Sequence, residues 1–146
     1  MKIRILLVDD EKEFVETLAE RLRTRGFHVT EAFSGDEALE KLKKYNFDVI
    51  ILDVQMPGMD GIEALGAIKK LKPLTEVLML TGHATIETAI EGMKMGAFDF
   101  LLKPCKMDIL MEKINSAYER KSEHEERIRK AMVDKLSTSP MSVFEK

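Results

Sequence analysis

Short apolar runs alternate with segments of helical period along this chain of 146 residues. The apolar runs are IRILLVD, FHVTEAF, FDVIILDV, EVLMLTG and FDFLLKP, and a segment with apolar residues every three or four positions follows each of them. Parallel strands need a crossover of about a dozen residues or more, usually a helix, so this alternation favours a parallel sheet. The near-continuous apolarity of the first, third and fourth runs indicates a sheet covered on both faces. The sequence therefore predicts a doubly wound α/β domain over roughly residues 1–120.

The helical segments carry recognisable internal spacing and end signals. Phe14, Leu18 and Leu22 lie four residues apart and predict one apolar face of the first helix. Ser34 precedes the second helical segment, and Glu37 follows three residues later, which is the spacing of a capping box. These signals place helix boundaries between the predicted strands.

Composition excludes several classes of protein. Hydrophobic residues make up 45% and charged residues 34% of the chain, which suits a globular domain with a core. The net charge of -3, with no basic cluster, argues against nucleic-acid binding by this segment. No apolar stretch approaches the roughly 20 residues that span a bilayer, and the first residues show no signal peptide, so we expect a cytoplasmic protein without membrane contact. The single cysteine, Cys105, rules out an internal disulfide framework and a cysteine-based metal site.

The composition of the chain changes after residue 120. Residues 121–136 are highly charged, and their sparse apolar residues Ile128, Met132 and Leu136 lie four apart. The fifth helix could run on, or a separate helix could follow, and the narrow apolar stripe could dock on a partner or on another copy. A frayed, solvated helix explains the pattern equally well. We expect residues 121–146 to form a helical linker and a flexible tail, the tail beginning at residue 137.

Polar side chains follow four of the five predicted strands. The first strand ends at Asp9 and Asp10, the third at Asp53, the fourth at Thr81 and the fifth at Lys103. In the flavodoxin-like strand order 2-1-3-4-5, ligands bind at the carboxyl ends of the strands, and these side chains would share one rim. Each residue alone could be a helix cap, a turn former or a surface charge, but the combination indicates a site.

Carboxylates brought together at this rim would repel one another. Two unit charges 4 Å apart cost ~1 kcal/mol in water and ~4 kcal/mol at an effective dielectric of 20. A divalent cation removes that conflict, and oxygen ligands suit Mg²⁺. Lys103 and Thr81 add a positive charge and a hydroxyl donor, which favour a phosphoryl group. Asp53 could itself accept the phosphoryl group, because carboxylates form aspartyl-phosphates.

The segments LLVDDE, DVIILDVQMPGMDG, VLMLTG and GAFDFLLKP together resemble the receiver domain of two-component response regulators. The resemblance covers about residues 2–120, and the segment TGHATIETAIEGMKMGAFDFLLKP is most similar to receivers from regulators of sigma-54-dependent transcription. An ATPase and a DNA-binding module follow the receiver in those regulators. The 146 residues contain no Walker sequence, so neither module is expected within them.

The resemblance implies a phosphorylation site with bound Mg²⁺. Asp53 would be phosphorylated by a partner histidine kinase. Asp10, Asp53 and the backbone carbonyl of Gln55 would bind Mg²⁺, and Asp9 would act mostly through water. The domain would then be a phospho-acceptor with intrinsic self-phosphorylation and dephosphorylation chemistry rather than an enzyme.

The resemblance also implies a switch. Thr81 and Lys103 would contact the phosphoryl oxygens, Phe100 would be the rotating aromatic residue, and the Lys103–Pro104 bond would be cis. The face formed by the fourth helix, fifth strand and fifth helix would then change shape and control an output, with transcription the expected process. A homodimer through the fourth and fifth helices, or through the C-terminal helix, is expected.

Other functions fit the sequence less well. A dehalogenase-like aspartyl-phosphate phosphatase shares the nucleophile and the metal, but it needs a second acid where this chain has Gln55. A dinucleotide-binding domain needs glycines after the first strand, and the loop DDEKEF has none. The complete set of acids, threonine and lysine argues against a receiver that acts only as a scaffold.

Overall fold

The predicted alternation of strands and helices is present in the structure, a computed structural model that describes residues 2–54, 60–82 and 86–138. The elements, in chain order, are β1 (Arg4–Val8), α1 (Lys12–Thr24), β2 (His28–Ala32), α2 (Gly35–Lys44), β3 (Val49–Leu52), α3 (Gly61–Leu71), β4 (Glu76–Thr81), α4 (Ile86–Lys94), β5 (Asp99–Leu102) and α5 (Met107–Thr138).

The five strands form one parallel sheet in the order β2-β1-β3-β4-β5, which confirms the predicted fold class and strand order. β1 and β3 are neighbours at the centre of the sheet, with Val8 opposite Leu52 at their ends. The Asp9 amide donates to the carbonyl of Ala32 (3.2 Å), and the Asp53 amide donates to the carbonyl of Val8 (3.0 Å). These bonds continue the sheet to the first polar residue after each central strand, so both carboxylates start from a rigid backbone.

Two apolar layers cover the sheet, as the continuous apolar runs predict. Alternate residues of β1 point to opposite sides, so Leu6 belongs to the layer under α2 and α3, whereas Ile5 belongs to the layer under α1 and α5. Met79 of β4 lies close to Gly92, which places α4 on the α2–α3 side. Because both faces are packed with apolar side chains, the buried polar side chains of the sheet lie at the two ends of its strands.

Capping at α2 follows the sequence prediction in one half only. The Ser34 hydroxyl accepts a hydrogen bond from the Glu37 amide at 3.1 Å. The Glu37 carboxylate accepts from the amide of Phe33 at 3.3 Å, so its bond falls one residue before the position that a capping box predicts. The helix start is nevertheless correctly placed at Gly35.

α5 is one helix of 32 residues, so the reading in which the fifth helix runs on is the correct one. It passes through residue 121 without a break and includes residues 137 and 138, which the sequence predicts to be the start of the tail; the tail from residue 139 onward lies outside the described residues. The apolar side chains of its distal part, Ile128, Met132 and Leu136, are at least half exposed. Among the helices that the structure describes, none has the length and apolarity needed to cross a membrane.

Ion pairs fix α5 to the amino-terminal end of the sheet. Arg120 Nε lies 3.0 Å from Glu76 Oε2, and Lys121 Nζ lies 3.3 Å from Asp48 Oδ1. Asp48 and Glu76 are buried, and Asp48 also accepts hydrogen bonds from the backbone amide and guanidinium of Arg4. Because consecutive residues of the helix bind acids that precede β3 and begin β4, the direction in which α5 leaves the domain is fixed.

We expect Asp48→Asn to lower the free energy of unfolding by about 2–3 kcal/mol. The substitution leaves Arg4 and Lys121 facing a neutral amide, and breaking a buried charge pair is strongly destabilising, though less so here because Arg4 is half exposed. Urea unfolding at pH 7 measures the loss. Glu40→Gln removes an exposed carboxylate paired with Lys43 and should change little.

The unfolding free energy that Asp48→Asn loses should depend on pH. Burial raises the pKa of the Asp48 carboxyl, but the hydrogen bonds from Arg4 outweigh it, and the net pKa lies below its ordinary value. The unfolded pKa is about 3.9, so the stabilisation is complete above about pH 4 and is lost as pH falls through the folded pKa. The difference between wild type and Asp48→Asn should therefore shrink at acid pH, and an undiminished difference there would contradict the assignment.

Candidate functional site

Four strand ends deliver polar side chains to one edge of the sheet. Asp9 follows β1, Asp53 follows β3, Thr81 is the last residue of β4, and Lys103 follows β5. The Lys103 amide donates to the carbonyl of Thr81 at 2.9 Å, which aligns the last two of these strand ends. The parallel arrangement is what brings together residues that lie more than 90 positions apart in the chain.

Asp9, Asp10 and Asp53 form an acidic cluster at this edge. Each has a carboxylate oxygen that lies within 4.8 Å of the corresponding oxygen of the other two. Asp9 and Asp53 are 1% and 4% exposed, whereas Asp10 is exposed and closes the cluster on the solvent side. A cation placed among them would have carboxylate oxygens from two strand ends within reach.

Lys103 is the cation of this site in the structure. Its Nζ lies 2.5 Å from Asp9 Oδ2, 2.9 Å from Glu11 Oε1 and 3.8 Å from Asp53 Oδ2. The ammonium group also lies 4.0 Å from the centre of the Phe14 ring. The lysine and the two aspartates are predicted from the sequence, but the contacts of Lys103 with Glu11 and Phe14 are not. Phe14 is predicted only as part of the apolar face of the first helix, and the one signal for Glu11 is its position just after the acids.

Burial and the neighbouring charges shift the pKa values of Asp9 and Lys103 in opposite directions. Burial raises the pKa of the Asp9 carboxyl, and the hydrogen bond from Lys103 offsets only part of that rise. For Lys103, burial lowers the pKa, but hydrogen bonds to Asp9 and Glu11 outweigh it and the net pKa is raised. Lys103 is therefore charged at neutral pH, while the crowded acids still favour further positive charge.

The ligand types present fit Mg²⁺. The cluster offers carboxylate oxygens, which are hard ligands, and a raised pKa at Asp9 is what a divalent cation would reverse. The predicted fourth ligand, the backbone carbonyl of Gln55, lies outside the described residues. Among the residues that the structure describes, the carboxylate ligands therefore suit Mg²⁺, the metal predicted from the sequence.

The remaining predicted residues lie on β4 and β5. Thr81 is fully buried. Phe100, in β5, is partly buried and packs against the apolar layer on the α2–α3 side. The Lys103–Pro104 bond is cis, as predicted. Thr81 and Phe100 therefore occupy neighbouring strands, with Phe100 opposite Met79 in the sheet.

Gly61, at the start of α3, lies against the backbone that carries Asp53. Its amide donates to the Val54 carbonyl at 2.8 Å, and the Asp60 carboxylate caps the helix by accepting from the Glu63 amide at 2.8 Å. A Cβ atom at position 61 would lie 2.1 Å from the Val54 Cα and 2.6 Å from the Asp53 carbonyl oxygen. Only a glycine permits this approach, so α3 supports the end of β3 from one side. In the sequence, this glycine is visible only as the last residue of the segment DVIILDVQMPGMDG.

With this fold and site, the chain belongs to the response regulator receiver domain family, whose model matches residues 5–115. The family expected from the sequence is thereby confirmed. The transcriptional regulatory protein ZraR of Salmonella typhimurium is 41% identical over 116 residues, which are 80% of this chain and 26% of that protein. The chain thus spans about a quarter of the length of this curated relative.

Solved structures agree with the family assignment. A receiver domain protein from Methanospirillum hungatei matches with a TM-score of 0.81 and 29% identity, over 85% of this chain and 99% of that one. NtrX from Brucella abortus matches with a TM-score of 0.82 and 34% identity, over 88% of this chain and 29% of that one. The match therefore spans nearly all of the first solved chain and less than a third of the second.

We expect Gly61→Ala to lower the free energy of unfolding by about 1–3 kcal/mol. The added methyl group meets backbone atoms, which cannot move aside by changing rotamer as a side chain can. Gly66→Ala, in the same helix, is the matched control. Its Cβ would meet only the terminal methyl of Met95, a partly exposed side chain that can move, so the gain in helix propensity should raise stability by up to about 1 kcal/mol. Urea unfolding measures both, and equal effects of the two variants would contradict the steric argument.

Proposed function

We propose that this receiver domain is a phosphorylation-controlled switch in which Asp53 accepts a phosphoryl group from a partner histidine kinase. Receiver domains of response regulators are substrates of histidine kinases, which supports the partner class. The observation that carries the proposal is the convergence of three acids and one lysine from separate strand ends. Buried like charges at one edge of a sheet are costly, and a phosphoryl-transfer site is a chemical reason to keep them.

The transfer would use the residues at the rim as follows. A carboxylate oxygen of Asp53 attacks phosphorus, the bond from phosphorus to the donor nitrogen or oxygen breaks, and the leaving group keeps the electron pair. Lys103 would stabilise negative charge on the phosphoryl oxygens, and the Thr81 hydroxyl would donate a hydrogen bond to one of them. Mg²⁺, when bound by Asp10, Asp53 and the Gln55 carbonyl with Asp9 acting through water, would neutralise charge on the acids and the phosphoryl group.

The domain would act as a phospho-acceptor rather than as an enzyme with multiple turnover. A small phosphodonor can replace the kinase, because the attacking carboxylate and the stabilising charges belong to the receiver. Water can later attack the aspartyl-phosphate and restore the carboxylate, releasing inorganic phosphate. Phosphorylation is then a signal with a finite lifetime.

The output would be a change in the face formed by α4, β5 and α5. Thr81 would move toward the phosphoryl group and Phe100 would turn into the space it leaves, so phosphorylation shifts the balance between two shapes of this face. The face already carries exposed apolar side chains, which supports its use by a partner; they are Ile86, Ile90, Met93, Leu102 and Ile109.

The distal part of α5 would connect the receiver, residues 1–120, to whatever the protein controls. Its charged surface and the exposed residues Ile128, Met132 and Leu136 suit a linker helix that contacts a partner or a second copy. The names of curated relatives such as ZraR support transcription as the regulated process. We place the protein in the cytoplasm, where response regulators receive phosphoryl groups, with no direct nucleic-acid binding by this segment.

Incubation with Mg²⁺ and acetyl phosphate should add one labile phosphoryl group, detected by mass spectrometry of the intact chain. Asp53→Asn should abolish the addition, because the amide is a poor nucleophile. Asp36→Asn, which changes an exposed acid in the first turn of α2, should keep it. Continuous turnover of many phosphoesters would instead favour a phosphatase, and no addition to the wild type would contradict the proposal.

A second test addresses the dimer proposed through α4 and α5 or through the distal helix. Beryllofluoride, a phosphoryl analogue, should raise the mass in solution measured by light scattering, and a charge placed in the true interface should prevent the rise. Ile90→Glu tests the α4 face, Met132→Glu tests the distal helix, and Tyr45→Glu, at an exposed site after α2, is the control. A rise that survives both test variants would contradict both interfaces.

A further inference from the structure

The Lys103 ammonium group is drawn toward the start of α1 rather than toward Asp53. It lies within hydrogen-bond distance of Asp9 and Glu11, and over the ring of Phe14. Its distance of 3.8 Å from Asp53 Oδ2 is an ion-pair distance, longer than a hydrogen bond. A phosphoryl group on Asp53 would therefore have to draw Lys103 away from some of its present partners.

Glu11 is bound to the site through both its backbone and its side chain. Its amide donates to Asp9 Oδ1 at 3.0 Å, and its carboxylate accepts from Lys103. The Glu11 side chain is 64% exposed, whereas that of Asp9 is 2% exposed. Water screens the ion pair between Glu11 and Lys103, and Lys103 keeps Asp9 as a partner when that pair is lost. The Glu11 contact is therefore the one that an incoming anion displaces most easily.

We propose that Glu11 is a positioning residue that restrains Lys103 in the unphosphorylated domain and releases it when phosphoryl oxygens reach Asp53. This inference rests on the proposed function and names a regulator of the same site. An ammonium group has three N–H donors, and the one directed at Glu11 is exchanged for a bond to the phosphoryl group. The Glu11 contact exists before the exchange and not after it, so it favours the unphosphorylated state.

Glu11→Gln tests the restraint, because it keeps the size of the side chain and removes its charge. We expect beryllofluoride, titrated in the presence of Mg²⁺ and followed by ¹⁹F NMR, to bind about two- to fivefold more tightly to the variant, the range expected from an exposed ion pair. Glu13→Gln is the matched control. Glu13 is also exposed and lies in the first turn of α1, and within the part of the chain that the structure describes it makes no ion pair with Lys103.

A spectroscopic signal separates restraint of Lys103 from a general structural effect. Without the analogue, the ¹⁵N signal of the Lys103 ammonium group should shift and its protons should exchange faster in Glu11→Gln. Glu13→Gln should leave that signal and the unfolding free energy unchanged, whereas Glu11→Gln should lose about 0.4–1 kcal/mol of unfolding free energy, which is the same two- to fivefold factor at about 1.4 kcal/mol per tenfold.

The outcomes distinguish this inference from the proposed function. If Glu11→Gln binds beryllofluoride no more tightly than the wild type, or gains only as much as Glu13→Gln, the restraint is wrong and the switch stands, provided that binding still requires Asp53. If the wild type does not bind beryllofluoride, or if Asp53→Asn binds it equally well, the proposed function fails and the restraint fails with it.

Discussion

The balance of charge at the carboxyl ends of β1, β3 and β5 is the constraint on which the rest of the site depends. Asp9 and Asp53 are buried side by side, and the repulsion between them is opposed by the ammonium group of Lys103. The pKa of Asp9 remains raised even with its hydrogen bond to Lys103, chiefly because the carboxyl is buried, and the charge of Asp53 adds to the rise. Among the described residues, three carboxylates lie beside this one ammonium group, and a divalent cation would neutralise their surplus negative charge.

The two ends of the sheet use buried acids in different ways. At the amino-terminal end, Asp48 and Glu76 are matched by cations from β1 and α5, and the pKa of Asp48 is lowered. This matched charge fixes α5 to the sheet. At the carboxyl end, three carboxylates of the described residues lie beside the ammonium group of Lys103, and burial raises the pKa of Asp9, a combination typical of functional sites. The same residue types thus serve structure at one end and the proposed chemistry at the other.

Much of the fold and site could be predicted from the sequence. The sequence predicts the strand order and the rim residues Asp9, Asp53 and Lys103. It leaves two alternatives for the fifth helix, and the single long α5 is one of them. The contacts of Glu11 with Lys103, and of Gly61 with Val54, could not be predicted. Both depend on how a helix start is placed against a strand end, and no periodicity or motif records that distance.

The sequence by itself determined the alternation of strands and helices, because the spacing of apolar residues is a local property of the chain. It also determined which polar residues end the strands. Only the tertiary structure decided which carboxylate the lysine contacts most closely: Lys103 pairs with Asp9 and Glu11 more closely than with Asp53. The physical reason is that ion-pair geometry depends on differences of about an ångström between side chains from distant segments, and packing of the whole sheet sets those differences.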